Sequence, residues 1–283
     1  FMKLYNKEFA TIAFGQDLVN GIYASASVGY EQRKNLFNNT DYVIIKNKDD
    51  FTSNNPLAPD DYETPTFETH HLRKASIGTR IRFGQKYISR PDAKFNLRNE
   101  KYPTLFFTFE KTFAATDKKY EYEQLSGRVY YSKTLGNKGS FATNIKGGKF
   151  FNADGISFID YQHFNGNQTH IGTSSSYLNV FNLLPYYTNS TNDSYFEIHA
   201  EHNFDGFIMN KIPLLNKLNS TLVVGFHNLA VPDRKPYQEL SIGLDHLGFG
   251  KFKLFRVDYV RSYQNGYLGD GVIFGLQILN VLD

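Results

Sequence analysis

A chain of 283 residues with 31 Lys and Arg against 28 Asp and Glu has a formal net charge of +3, too small a surplus to specify a nucleic acid. It has no cysteine, which excludes disulfides, thiolate metal sites and cysteine nucleophiles and suits an oxidising compartment. Aromatic residues, 26 Phe and 20 Tyr with no Trp, make up 16% of the chain, an excess that needs an apolar surface to sit on.

The opening FMKLYNKEF lacks the apolar core of a signal peptide. A secreted chain of this kind is expected to have lost one or to be an internal fragment. From there the hydrophobic period is two rather than 3.6. Ile22, Ala24, Ala26, Val28 and Tyr30 share one parity, as do Ala75, Ile77, Thr79, Ile81 and Phe83. The same alternation runs through Leu105, Phe107, Phe109 and Phe113, then Leu125, Val129 and Tyr131. It returns in Phe196, Ile198, Ala200, His202 and Phe204, in Leu240, Ile242 and Leu244, in Phe255, Val257 and Tyr259, and in Val272, Phe274, Leu276 and Ile278. Eleven strands are predicted, at 7–17, 20–34, 69–87, 102–115, 121–135, 139–151, 194–206, 218–229, 237–246, 251–263 and 270–280. Several exceed the typical strand of about 5–6 residues and reach the roughly 9–11 that a membrane-crossing strand needs. No helix-length apolar run of about 20 residues occurs; the most apolar stretch, 272–282, is broken by Gln277 and Asn280.

The connections alternate in length. DLVNG, LGNKG and HLGFGK are short turns, whereas 35–68, with Pro56, Pro59 and Pro65, and 152–193 are long polar loops. Short turns at one end and long loops at the other are the pattern of outer-membrane barrels. Two connections at the short end break it: 88–103, and 206–219, whose apolar residues mixed with Lys211 and Lys217 read as an interfacial segment. The expected fold is all-β, an antiparallel up-and-down transmembrane β-barrel. Bacterial single-chain barrels have even strand counts, so eleven strands spanning 1–283 imply part of a larger barrel, or a count wrong by one. The competing fold is a soluble sandwich, which would bury Phe107, Val129 and Ile242 against one another. In a barrel, Tyr30, Phe83, Phe113, Tyr131 and Tyr259 would form aromatic girdles near the strand ends. Lys133 and Lys149 would reach towards headgroups.

The segments LLPYYTNSTNDSYFEIHAEHNFDGFIMNKIPLLNKLNSTLVVGFHNL (183–229) and YQELSIGLDHLGFGKFKLFRVDYVRSY (237–263) resemble the C-terminal barrel of a Bacteroidetes outer-membrane family. Its members often carry an N-terminal carboxypeptidase-regulatory-like domain. More distantly the arrangement resembles the surface-antigen (BamA-like) barrel superfamily, in which five strands follow a long extracellular loop that folds into the lumen. Here five strands follow 152–193. The resemblance implies a sixteen-stranded barrel with about five strands upstream. It also implies a lumen-folded loop including His163, Asn165, Gly166, Asn167 and His170. The superfamily marks that loop with an Arg-Gly motif, and YQHFNGNQTHIGT (161–173) has no arginine. That departure weakens any claim to assembling or exporting polypeptides.

The inward parity carries a charge pattern. The third to sixth strands contribute Lys74, Arg80, Arg82, Arg128 and Lys146, and the seventh to tenth contribute Glu197, Glu201, Glu239, Asp245 and Asp258, with Glu110 and Arg256 as exceptions. Opposed basic and acidic walls would either create a field that selects charged solutes or pair with each other and with the loop. Glu197, His199 and Glu201 share a face, but residues i and i+4 on a strand lie about 13 Å apart, so all three cannot reach one ion. A metal on His199 would need a ligand from another strand. His170 beside Ser174, Ser175 and Ser176, with Asp160 to orient it, is the one arrangement that suggests a hydrolase. Asp60, Asp61 and Glu63 are a loose Ca²⁺ candidate without EF-hand spacing. No G-x-S-x-G, P-loop or G-x-G-x-x-G occurs, and no cofactor is expected.

Together these features predict a protein of the outer membrane of a Gram-negative bacterium. Its partners would be outer-membrane lipid and either other polypeptides, which it would assemble or export, or small polar solutes passing a polar lumen. A lipid or ester hydrolase on a barrel and a soluble β-sheet binding protein are the alternatives.

Overall fold

Alternation with period two places successive side chains on opposite faces, and here it builds one large sheet. The computed structural model describes residues 3–38, 52–97, 99–172, 177–213, 215–249 and 252–276. Along the chain come β1 (Tyr5–Val19), β2 (Ile22–Asn35), β3 (His70–Arg82), β4 (Tyr87–Ser89), β5 (Lys94–Asn96), β6 (Thr104–Phe113) and β7 (Glu123–Thr134). They are followed by β8 (Ser140–Phe151), β9 (Ser194–Asn203), β10 (Thr221–Ala230), β11 (Tyr237–Phe249), β12 (Phe252–Gln264) and β13 (Tyr267–Leu276). Eleven of these form a single sheet in chain order, β1-β2-β3-β6-β7-β8-β9-β10-β11-β12-β13, every neighbour antiparallel. The fold is therefore all-β and up-and-down, a single antiparallel sheet that the described residues leave open between β1 and β13.

Register sorts the two faces. One row runs Ala26, Ile77, Phe109, Leu125 across β2, β3, β6 and β7. Another runs Val224, Ile242, Tyr259, Val272 across β10 to β13. These rows point outward: Ile77 is 64% and Ile242 52% exposed. Phe107 is likewise exposed, so no second layer covers it and the sandwich is overturned. The opposite parity is the polar one, and it is the buried one. The sheet curls towards that side. Arg256 on β12 pairs with Glu201 on β9 at 2.7 Å, although three strand spacings on a flat sheet amount to about 14 Å.

The predicted strands recur with ends shifted by a few residues. The stretch 69–87 stops at Arg82, and 277–280 of the last prediction lies outside the described residues. The connection 88–103 holds most of the small β4–β5 hairpin, whose three-residue strands are too short to show a period. In 206–219 two short 3₁₀ turns, Met209–Lys211 and Leu215–Leu218, bury Met209 and leave Ile212 and Leu218 exposed. No helix among the described residues is long and apolar enough to cross a membrane.

The β7–β8 turn requires its glycine. Gly139 sits at φ +92 and ψ −148, conformations almost reserved for glycine. A Cβ there would lie 1.9 Å from the Asn203 carbonyl oxygen. Gly139→Ala is expected to lower stability by about 1–3 kcal/mol, read as a shifted denaturant midpoint of the detergent-solubilised protein. An unchanged midpoint would contradict this account of the turn.

Candidate functional site

On the inner face the register lines up Asn144, His199, His227, Glu239 and Ser262, one from each of β8, β9, β10, β11 and β12. All five are buried. Polar groups so placed need partners, since each one left unsatisfied costs about 1–3 kcal/mol. The loop 152–193 supplies most of them. Asn144 Nδ2 donates to the Leu178 carbonyl at 3.0 Å and to the Asn179 side chain. Glu239 accepts the backbone N–H of Asn182 at 2.7 Å and of Leu183 at 2.8 Å, together with the Tyr237 hydroxyl at 2.7 Å.

The two histidines form a directed chain. Asn182 Nδ2 lies 3.4 Å from His227 Nε2, and an amide nitrogen only donates. His227 Nε2 then accepts, so its Nδ1–H donates to His199 Nδ1 at 2.7 Å. His199 in turn donates from Nε2 to Glu197 at 2.5 Å. Lys146 completes the end at 3.0 Å from the same carboxylate oxygen. Both His199 nitrogens are thus engaged by protein groups, and Glu201 is held by Arg256. The Glu–His–Glu row divides between two networks, and among the described residues no group of three or more His, Asp or Glu is placed to hold a metal.

A second anchor joins the loop to β2. Arg33 Nη1 donates to both oxygens of Asp160 at 2.7 and 2.6 Å, and its Nε and Nη2 reach Glu31 at 3.0 and 2.7 Å. Lys7 meets Glu31 at 2.8 Å, and the Tyr122 hydroxyl lies between Glu110 and Asp160. Apolar contacts fill the space between the anchors. Phe164, Phe181 and Leu184 pack on Leu229 and Tyr237, while Ala153 and Ile156 pack on Tyr122 and Phe150. The Tyr177 ring lies under the Arg256 guanidinium at 3.9 Å, and burial pushes its hydroxyl up to about 12.

The predicted loop residues are mostly structural. The His163 ring bonds Ser190 Oγ at 2.7 Å, and burial lowers its pKa. Asn165 donates to the Asn179 carbonyl, and the carbonyl of Asn165 receives the Phe181 N–H. Gly166 is buried where a Cβ would strike the Leu184 carbonyl. Asn167 shapes the turn 167–171 through Thr169 and the Ile171 carbonyl. His170, at φ +56, brings the chain to the edge of β13, where its carbonyl accepts the Phe274 N–H at 3.0 Å.

The predicted charges separate into two groups. Lys74 pairs with Glu110 at 2.8 Å, Lys146 with Glu197, and Arg256 with both Glu201 and Asp258. Asp245 accepts the His246 N–H at 2.8 Å. Arg80, Arg82 and Arg128 lie towards the short-turn end, beyond the loop, and form no ion pair among the described residues; Arg128 Nε donates to Asn144 at 2.7 Å. The hydrolase arrangement loses its acid, because Asp160 is committed to Arg33; Ser174, Ser175 and Ser176 lie outside the described residues. Asp61 spends its carboxylate on the N–H groups of Glu63 and Thr64, as a turn former.

Sequence reasoning missed Arg33, Asn144, Asn182, His227 and Tyr237 as site members. Their signal was parity: Arg33 continues the inward row of Gly29 and Glu31, and His227 lies inward beside Val223 and Leu229.

A family model described as "Family of unknown function (DUF5686) C-terminal domain" matches residues 1–244, and the chain belongs to that family. No curated protein matches the chain. Among solved structures, the crystal structure of BamA from Haemophilus ducreyi lacking POTRA domains 1-3 is similar at 10% identity, with a TM-score of 0.40 over 95% of this chain. This chain spans 61% of the length of that one.

Removing one partner of a buried ion pair costs about 3–5 kcal/mol. Arg33→Met, which strands Asp160 and leaves Glu31 to Lys7 alone, is therefore expected to release the loop and speed proteolysis within 152–193. Cleavage at the wild-type rate would contradict the anchoring role.

Proposed function

We propose that this member of the DUF5686 C-terminal domain family is the wall of an outer-membrane β-barrel whose lumen is occupied by its own loop. We further propose that it handles other polypeptides rather than passing solutes freely. The observation that carries the reading is the inversion of the two faces. The exposed face is rich in Ile, Leu, Phe and Val, and the buried face carries Glu, His, Arg and Asn. Monomeric soluble proteins rarely expose such contiguous apolar surface, whereas lipid tails are a suitable neighbour for it. The paired strands run for 10–15 residues, enough to cross a bilayer when tilted. Of the aromatics expected in girdles, Phe83 is exposed just past the end of β3, where interfacial aromatics sit, whereas Tyr30 and Tyr259 are exposed near the middle of β2 and β12.

Outer-membrane lipid is then the first partner, and a Gram-negative outer membrane is the location. The similarity noted from 183–229 and 237–263 supports a Bacteroidetes source and an accompanying carboxypeptidase-regulatory-like domain. Between polypeptides and small solutes, the loop favours the former, because its bonds to Asn144 and Glu239 place protein where an open pore would hold water. The loop differs from the surface-antigen pattern in the sign of its anchor: it carries the carboxylate, Asp160, and the wall carries the arginine, Arg33.

Planar-bilayer recordings test this. The full chain is expected to be silent, and replacing 155–190 by a short Gly-Ser linker is expected to give steady conductance. Steady conductance from the intact chain would favour solute passage. Liposomes bearing the intact chain should also speed the folding of an unfolded outer-membrane barrel over protein-free liposomes; equal rates would count against polypeptide handling.

A further inference from the structure

The inner face has one region that the loop does not serve. Register aligns Tyr23, Arg80, Phe106 and Arg128 across β2, β3, β6 and β7. Two strand spacings put the backbones of Arg80 and Arg128 about 10 Å apart, and Arg82 lies two residues along from Arg80 on the same face. Elsewhere on this face Lys74, Lys146, Arg33 and Arg256 each meet a carboxylate. These three arginines meet none among the described residues. Arg80 lies over Tyr23 at 5.0 Å and Arg128 over Phe106 at 5.3 Å. Asp17 lines the adjoining cleft with Arg80, Arg82 and Lys94 without an ion pair to any of them.

A cavity of about 530 Å³ opens beside them, lined by Arg82, Arg128, Phe106, Tyr102, Tyr130 and Ser132 among others. Its volume is within the range of small-molecule sites. The β4–β5 hairpin and its flanks form one side and are pinned in place. Gln85 donates to the carbonyls of Lys86 at 2.7 Å and Leu97 at 2.8 Å, and Asn99 donates to those of Phe83 and Gly84, both at 3.0 Å. Three arginines beside a single nearby carboxylate, Asp17, that pairs with none of them still repel one another, and an anion relieves that repulsion. The guanidinium fork matches phosphate oxygens in geometry as well as charge. The aromatic lining suits an apolar body attached to the anionic group.

We propose that this cavity binds a phosphate-bearing molecule, with Arg82 and Arg128 as its contacts and Arg80 as a supporting charge. The site goes beyond the membrane reading and does not depend on it, since binding is measured on the protein itself.

The test is ³¹P line broadening on the full chain in neutral, phosphate-free detergent. One probe is inorganic phosphate and the other is dihexanoyl phosphatidylglycerol at a concentration below its micelle threshold. Broadening is expected with at least one probe; response to both indicates any phosphate group, and response to the second alone indicates a lipid headgroup. The Arg82 side chain makes no hydrogen bond or ion pair among the described residues, and its backbone N–H, which donates to the Gly21 carbonyl, is kept in Arg82→Gln, so that variant leaves the fold intact and should weaken binding about tenfold or more, the scale of one charge-assisted contact. Arg128→Lys keeps the charge but loses the fork and should weaken it as well. Lys34→Gln, at an exposed surface pair with Glu8, should bind as the wild type. Failure of both probes to broaden, or wild-type affinity in Arg82→Gln, would overturn the proposal.

Discussion

Two imidazoles, an amide and a carboxylate lie buried in one row across four strands, and their need for hydrogen-bond partners governs the rest of the structure. Asn144, His199, His227 and Glu239 cannot satisfy one another alone. A buried carboxylate is especially costly, and Glu239 is met by two backbone N–H groups that only a loop, not a ladder strand, can aim at it. The long segment 152–193 is therefore part of the inner face rather than an appendage. Its own apolar residues, Phe164, Phe181 and Leu184, gain a surface on Leu229 and Tyr237 only when the polar bonds are made. The two sets of contacts support one another.

The same requirement bends the sheet. A flat sheet could not bring Arg256 to Glu201, or let one loop reach Arg33 on β2, Glu239 on β11 and Phe274 on β13. Curvature concentrates polar groups inside and spreads the apolar rows outside. In water that arrangement exposes the greasy parity at a large cost; in a bilayer the same parity meets hydrocarbon. The strands need no change of sequence pattern to serve either role, which is why the identity of the buried face, rather than the alternation itself, decides between them.

Much of this was legible in the sequence, because period two is a local property. Eight of the eleven strands of the large sheet show it plainly, while β1, β8 and β10 carry apolar residues on both parities, and the outward rows through Ile77, Phe107 and Ile242 follow from counting residues. What lay beyond reach was long-range. Nothing near Arg33 announces Asp160, which lies 127 residues away, and nothing near Glu239 announces the backbone of Asn182. The sequence shows a basic and an acidic set of residues that would either pair or set up a field, but which of them pair depends on position along the strands as well as on sign. The acids and the lysines found partners near the loop, whereas Arg80, Arg82 and Arg128, equally basic by sequence, meet no carboxylate among the described residues. The β4–β5 hairpin was missed because three-residue strands held by Gln85 and Asn99 carry no hydrophobic period to detect.

The central claim is that lipid contacts the Leu240, Ile242 and Tyr259 parity while the loop and the polar row occupy the other side. The absence of native cysteine allows single nitroxide labels at 240, 241, 242, 259 and 260 in reconstituted bilayers. Collision with lipid-soluble oxygen should be high at 240, 242 and 259 and low at 241 and 260. Strong collision with a water-soluble nickel chelate at 240, 242 and 259, or no alternation between neighbours, would contradict the account.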